Sequence, residues 1–191
     1  ISKGGADAPS DQHKKTAYKT LCYAKSTSNR ALILGASTLP TLFCFSDASY
    51  HADGNSKSRL GGCLFLGEDS GAFHTFSKSS PLVTQSSTHA ELLALYETVN
   101  LALHTRQVLE FITLSQTSLT PIYCDSTPSI QLCSLLKMTH KTASINMRVN
   151  FIRQCLNNHE ITQHFVPTAL NVADTLTKPL ATDLFQAHTS K

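Results

Sequence analysis

Four carboxylates, Asp47, Glu91, Asp125 and Asp174, stand at the ends or beginnings of apolar segments in a chain where only 13 of 191 residues are Asp or Glu. Asp47 closes the run T-L-F-C-F-S-D and Asp125 closes T-P-I-Y-C-D, while Glu91 follows S-S-T-H-A and Asp174 follows N-V-A. Carboxylates brought together repel, and each raises the pKa of the next. Such a cluster persists where cations neutralise it, and a donor set made only of oxygen favours Mg²⁺, with Mn²⁺ as a substitute. Two such ions ~4 Å apart activate a water and stabilise the leaving oxygen of a phosphodiester. In that scheme Asp47 bridges both ions. Glu91 and Asp125 hold the ion beside the leaving group, and Asp174 completes the ion that carries the attacking water. Each acid alone has an ordinary explanation in turn chemistry or the helix dipole. Their order along the chain is what points to a site.

The elements that must position these acids are legible from periodicity. Residues 41–47 read as a strand apolar on both faces, which belongs in the middle of a helix-covered sheet. A polar turn from Tyr50 to Arg59 leads to strands at 60–66 and 71–77 around the turn at 67–70, an antiparallel meander. The paired glycines Gly61 and Gly62 mark a bulge or a close backbone approach. Ser86, Ser87 and Thr88 cap a helix running to about Phe111, with Leu92, Leu95, Tyr96, Val99, Ala102 and Leu103 as its stripe and Glu91 in its first turn. A fourth strand, 120–125, precedes a helix at about 128–137 and a loop at 138–142. A helix at 143–157 then turns Ile145, Val149, Ile152 and Leu156 inward and Arg148 and Arg153 outward. Glu160 to Val166 is the last strand, and a closing helix starts at Asn171 to Asp174 and ends near Lys178. The sum is an α/β fold, a five-stranded mixed sheet with its antiparallel meander first and parallel strands after it, flanked by helices.

Ahead of this sheet, residues 1–10 read as a flexible lead and 11–26 as a helix. Lys14, Lys15 and Lys19 form either a solvated basic face or a phosphate-facing arm. Arg30 to Gly35 is an extra strand or a tether, so 11–40 forms an N-terminal extension, 41–182 the main domain and 183–191 a tail. Starting at Ile1 without Met, the sequence reads as a piece of a longer polypeptide.

Composition narrows the function classes. The net charge is +3, and four of the few acids are assigned to a site, which leaves a more positive exterior suited to a polyanion. The six cysteines at 22, 44, 63, 124, 133 and 155 form no C-x-x-C, so neither a zinc site nor a disulfide framework is expected and a reduced, intracellular setting is. No apolar run approaches the ~18–20 residues needed to span a bilayer. The P-loop pattern G-x-x-x-x-G-K does not occur.

Several motifs resemble the ribonuclease H domain of copia-type retrotransposon polyproteins over residues 11–182. They are Ser46-Asp47-Ala48, Lys57-Ser58-Arg59-Leu60-Gly61, Ser86 to Leu92, Ile122-Tyr123-Cys124-Asp125, Phe151-Ile152-Arg153, Val166-Pro167-Thr168, Ala173-Asp174 and Leu176-Thr177-Lys178-Pro179-Leu180. The resemblance implies Mg²⁺-dependent cutting of the RNA strand of an RNA–DNA hybrid, beside a reverse transcriptase on the same polyprotein, in the cytoplasm or a virus-like particle. Tyr50 stands where that family usually has Trp, and Ala143-Ser144-Ile145-Asn146 replaces its K-H-I-D segment. No histidine lies between Thr168 and Asn171, where the wider family often carries one for product release; His140 is the candidate to replace it.

A hybrid is read through its shallow minor groove and its single set of 2′-hydroxyls. Ser49, Asn55, Ser87 and Ser126 are candidates for that contact, and Lys57, Arg59, Lys78, Lys141, Arg148 and Arg153 for phosphates. Two other readings stand beside an active nuclease: a catalytically silent binding or scaffolding domain of the same fold, and another nuclease of that superfold. A monomer is the expected state.

Overall fold

The computed structural model describes residues 9–35, 40–53, 57–134 and 146–189. The chain divides into two compact units, Ile1–Ile33 and Leu34–Lys191. In the first, helix α1 (Asp11–Ser26) opens with a capping box in which Ser10 and His13 satisfy each other's backbone N–H groups. None of its residues is buried, and Tyr18 and Leu21 are each 69 % exposed.

The second unit is built on five strands: β1 (Leu42–Asp53), β2 (Lys57–Leu66), β3 (His74–Ser79), β4 (Thr120–Cys124) and β5 (Ile161–Phe165). Their order across the sheet is β3-β2-β1-β4-β5, antiparallel from β3 to β1 and parallel from β1 to β5. This is the expected mixed sheet, with β1 at its centre. The parallel half follows from the connections, because helices bridge β3 to β4 and β4 to β5 and return the chain to the same edge. These helices are α2 (Ser87–Phe111), α3 (Thr127–Ser134) and α4 (Asn146–Asn157).

Two buried clusters pack the sheet, the smaller of Leu60, Leu93 and Ala94 and the larger on the α2–α4 side. Leu42 and Cys44 of β1 pack with Leu64, Ile122 and Ile161 from the neighbouring strands, Leu92, Leu95 and Val99 of α2, and Val149 and Ile152 of α4. All of these are buried side chains. Phe43 and Phe45, one residue out of phase, lie on the other face and are only half-buried. Phe43 stacks on Phe65 and Phe45 on Tyr123, each pair with ring centroids 5.0 Å apart.

Several boundaries differ from the sequence reading. β1 continues to Asp53 through the segment expected as a turn, because a register shift between Ser49 and Asp53 keeps it paired with β2. No strand forms at 30–35. In place of a closing helix at 171–178 the chain makes two 3-10 turns, Thr168–Leu170 and Val172–Leu176, and residues expected as tail form helix α5 (Thr182–Thr189). Asn171 stands between the two turns with an extended backbone and caps the second with its side chain, which interrupts any continuous helix. Arg153 does not point outward. Its guanidinium donates to the carbonyls of Cys133 at 3.1 Å and Leu132 at 2.7 Å, tying α4 to α3. α3 is described as far as Ser134, and the rest of the helix expected to 137, the expected loop at 138–142 and the start of the following helix lie outside the described residues.

Candidate metal centre

The register of two parallel strands sets the site. Phe45 of β1 pairs with Tyr123 of β4, so Asp47 and Asp125, each two residues further on, stand level at the C-terminal end of the sheet. That edge is where open α/β sheets place their ligands. Glu91 reaches the same point from α2. Ser86 caps that helix by accepting a hydrogen bond from His89 N–H at 3.1 Å, so the helix begins at Ser87 and Glu91 lies in its second turn, not the first. Asp47, Glu91 and Asp125 each offer a carboxylate oxygen, and the three oxygens all lie within 4.8 Å of one another.

This crowding has an electrostatic cost. Burial pushes Asp47 up to about 7, with Asp174 adding to the rise and the Thr177 hydroxyl and Lys178 opposing it. Glu91 is also raised well above the ordinary carboxylate range, first by burial and then by the charges of Asp47 and Asp125; the Ala48 N–H that it accepts works against the rise. One of its oxygens, Oε2, is buried with no hydrogen-bond partner. A buried carboxylate oxygen without a donor is costly, and it marks a place for a cation.

The fourth acid is held differently. Asp174 lies in the 3-10 turn Val172–Leu176, is 1 % exposed and interacts with Asp47. It is not among the three carboxylates that share a common point. Its Oδ1 is ion-paired to Lys178 Nζ at 2.8 Å. Burial alone lowers a lysine's pKa, but the bond to Asp174 and the charges of Asp47, Asp174 and Asp125 outweigh it and hold Lys178 above the usual range.

A donor from the closing segment fixes three of the acids. Thr177 Oγ1 donates to Asp47 Oδ2, Thr168 Oγ1 donates to Asp125 Oδ2 at 2.7 Å, and Lys178 holds Asp174. The segment is itself clamped to the sheet. Buried Asn171 donates from Nδ2 to the Ser46 carbonyl at 3.0 Å and accepts Ala173 N–H at 3.3 Å. Ser77 Oγ donates to the Leu176 carbonyl at 2.6 Å. Gly61, opposite Asp47 on β2, lets the segment approach: a Cβ there would sit 2.7 Å from Thr177 Cγ2 and 2.9 Å from Leu176 Cβ. The paired glycines therefore serve a close approach. Thr168, Asn171, Thr177 and Lys178 received no role from the sequence, although all but Asn171 lie within the motifs that carried the resemblance.

The candidate substrate contacts are more scattered. Ser49 and Arg59 face each other across β1 and β2, half-buried, with Lys57 nearby on β2. Ser87 is exposed at the start of α2. Ser126 caps α3, its hydroxyl 2.7 Å from Ser129 Oγ and accepting Ser129 N–H at 3.4 Å, so its first role is structural. Arg148 lies over the Tyr96 ring, 5.6 Å from the centroid. Lys78 pairs with Glu97 at 2.7 Å. Asn55, His140 and Lys141 lie outside the described residues.

A mixed sheet in this order, with acids level at the ends of β1 and β4, is the ribonuclease H-like fold. Among solved structures, ribonuclease H1 from the archaeon Halobacterium salinarum NRC-1 superposes with a TM-score of 0.53 at 17 % identity, covering 72 % of this chain and 94 % of that one. LC11-RNase H1 in complex with an RNA/DNA hybrid gives 0.51 at 17 % identity, again over 72 % and 94 %. No family model matches. In sequence the chain is 28 % identical over 184 residues to the retrovirus-related Pol polyprotein from transposon RE1 of Arabidopsis thaliana, covering 96 % of this chain and 12 % of that protein. It is 28 % identical over 178 residues to the one from transposon TNT 1-94 of Nicotiana tabacum, covering 93 % and 13 %. The chain thus has the ribonuclease H-like fold and is similar in sequence to a segment of retrotransposon Pol polyproteins, spanning about an eighth of the length of these relatives.

Proposed function

We propose that this domain is a divalent-metal-dependent endonuclease that cuts the RNA strand of RNA–DNA hybrids during reverse transcription of a copia-type retrotransposon. The reading rests on one observation above all: three carboxylates from β1, α2 and the end of β4 meet within 4.8 Å, in a setting that penalises the charge of Asp47 and Glu91. The donor set fits hard divalent cations, being all oxygen and including the buried, unpartnered Glu91 Oε2. Asp47, Glu91 and Asp125 would hold Mg²⁺ or Mn²⁺, with Asp174 contributing to a second ion. When bound, such a pair activates water and stabilises the leaving oxygen of a phosphodiester.

The chain's own residues supply position. Thr177 and Thr168 orient the carboxylates of Asp47 and Asp125, so little reorganisation is needed when substrate arrives. Ser49, Asn55 and Ser87 are assigned to the 2′-hydroxyl side of the hybrid, and Lys57, Arg59, Lys141 and Arg148 to phosphates. Recognition of this kind is by shape, with little base preference and a steep dependence on salt. A hybrid complex of a protein with the same fold supports the choice of substrate.

Residues 41–182 are assigned as the nuclease and 11–40 as the extension from the reverse transcriptase side of the polyprotein, acting inside the cell in a virus-like particle. Among the described residues no helix is long and apolar enough to cross a membrane. The test is cleavage of a labelled RNA–DNA hybrid beside duplex DNA and duplex RNA, with Mg²⁺ and with Mn²⁺. The expected result is cutting of the hybrid's RNA strand alone. Hybrid binding without cutting in either metal would instead identify a silent scaffolding domain.

A further inference from the structure

We propose that Lys178 is a built-in counter-cation of the acid cluster and competes with the second divalent ion for Asp174. The inference rests on the metal-binding reading above and concerns how that centre fills. Asp174 is 1 % exposed, yet its carboxylate is engaged by Lys178 Nζ at 2.8 Å and stands outside the group of three. This same lysine acts on both Asp47 and Glu91, and the charges of Asp47, Asp174 and Asp125 together act on it. It therefore occupies, in electrostatic terms, the role of a divalent ion on the Asp174 side of the site.

Its attachment allows it to leave. The backbone N–H groups of Thr177 and Lys178 both donate to the Asp174 carbonyl at 3.2 Å, which fixes the main chain. The lysine side chain is 38 % exposed, so its flexible stem can swing to solvent without moving that backbone. Asp47, Glu91 and Asp125 are then available to a first ion while Lys178 stays in place, whereas a second ion at Asp174 must displace it. Such a device keeps the cluster folded without metal and sets a threshold of divalent ion for the fully loaded site.

The test uses the full 191-residue chain, stripped with EDTA and titrated with MgCl₂, followed by calorimetry and by thermal unfolding. Wild type is compared with Lys178→Met, which removes the charge, and Lys178→Arg, which keeps it. Lys178→Met is expected to be less stable in EDTA and to take up its second Mg²⁺ at a concentration at least ~5-fold lower than wild type. Lys178→Arg is expected to keep the wild-type half-saturation. If Lys178→Met does not fold in EDTA, Lys178→Gln carries the comparison, because it retains a donor to Asp174 without the charge. An unchanged or weaker second affinity in the neutral variant overturns the inference, as does a Lys178→Arg protein that binds as tightly as Lys178→Met. In both of those outcomes the metal centre itself stands. A wild-type chain that takes up no Mg²⁺ overturns the metal-centre reading and this inference with it.

Discussion

Replacing Asp47 with asparagine is expected to remove the proposed nuclease activity and yet stabilise the metal-free protein. Asp47 is 1 % exposed, and its pKa rises from 3.8 to about 7 on folding. A carboxyl group with a raised folded-state pKa holds its proton more tightly in the native state than in the unfolded chain. Stability then falls as pH climbs from the unfolded value to the folded one, and the penalty is complete above about 7. A rise from 3.8 to about 7 is roughly three pH units, and at ~1.4 kcal/mol each the penalty is on the order of 4 kcal/mol. The substituted side chain would be nearly isosteric, would still accept the Thr177 hydroxyl and would carry no charge. Denaturant unfolding in EDTA should therefore show Asp47→Asn more stable than wild type at pH 8, by up to ~4 kcal/mol, with the gap shrinking steadily toward pH 4. Mg²⁺ should narrow the gap at pH 8, because it stabilises wild type and has lost a ligand in the variant. A variant destabilised at pH 8 in EDTA, or a gap independent of pH, would refute the argument and mark Asp47 as structural.

Other perturbations have definite expected outcomes. Gly61→Ala places a Cβ against Thr177 and Leu176, so it should cost ~1–3 kcal/mol in chemical denaturation and lower hybrid cleavage by misplacing Thr177. Asn171→Ala removes the clamp on the Ser46 carbonyl and the cap on Ala173 and should cost ~1–3 kcal/mol, with faster amide exchange across residues 172–178 as the readout. Thr177→Val should weaken Mg²⁺ binding while Thr177→Ser restores it, because the hydroxyl on Asp47 is the feature that matters. Hybrid affinity, measured in Ca²⁺ to suppress cutting, should fall steeply between low and high salt; a flat profile would remove the phosphate contacts assigned to Lys57, Arg59 and Arg148.

The sequence exposed the site where chemistry follows from strand geometry. Asp47 and Asp125 each end an apolar run, and a parallel pairing of those runs was enough to set them level, as the Phe45–Tyr123 register does. Glu91 was misjudged by one turn because three hydroxyl residues in succession, Ser86, Ser87 and Thr88, can each cap a helix; the observed cap is Ser86. The closing segment was the least legible part. Its residues carry neither helical nor strand periodicity, and its conformation is set by long-range contacts such as Asn171 to Ser46 and Ser77 to Leu176. Thr177 and Lys178 reach the acids because Gly61 leaves room for the chain above β2, a tertiary fact without a local signature. For the same reason Arg153 resembled a surface cation until the Leu132 and Cys133 carbonyls of α3 were seen to receive it.

Anomalous diffraction from crystals grown or soaked with Mn²⁺ would show whether the three carboxylates share an ion. The expected result is a strong peak coordinated by oxygens of Asp47, Glu91 and Asp125, with a second, more weakly occupied peak beside Asp174 that strengthens in Lys178→Met. Crystals that bind Mn²⁺ elsewhere on the surface and leave that position empty would contradict it.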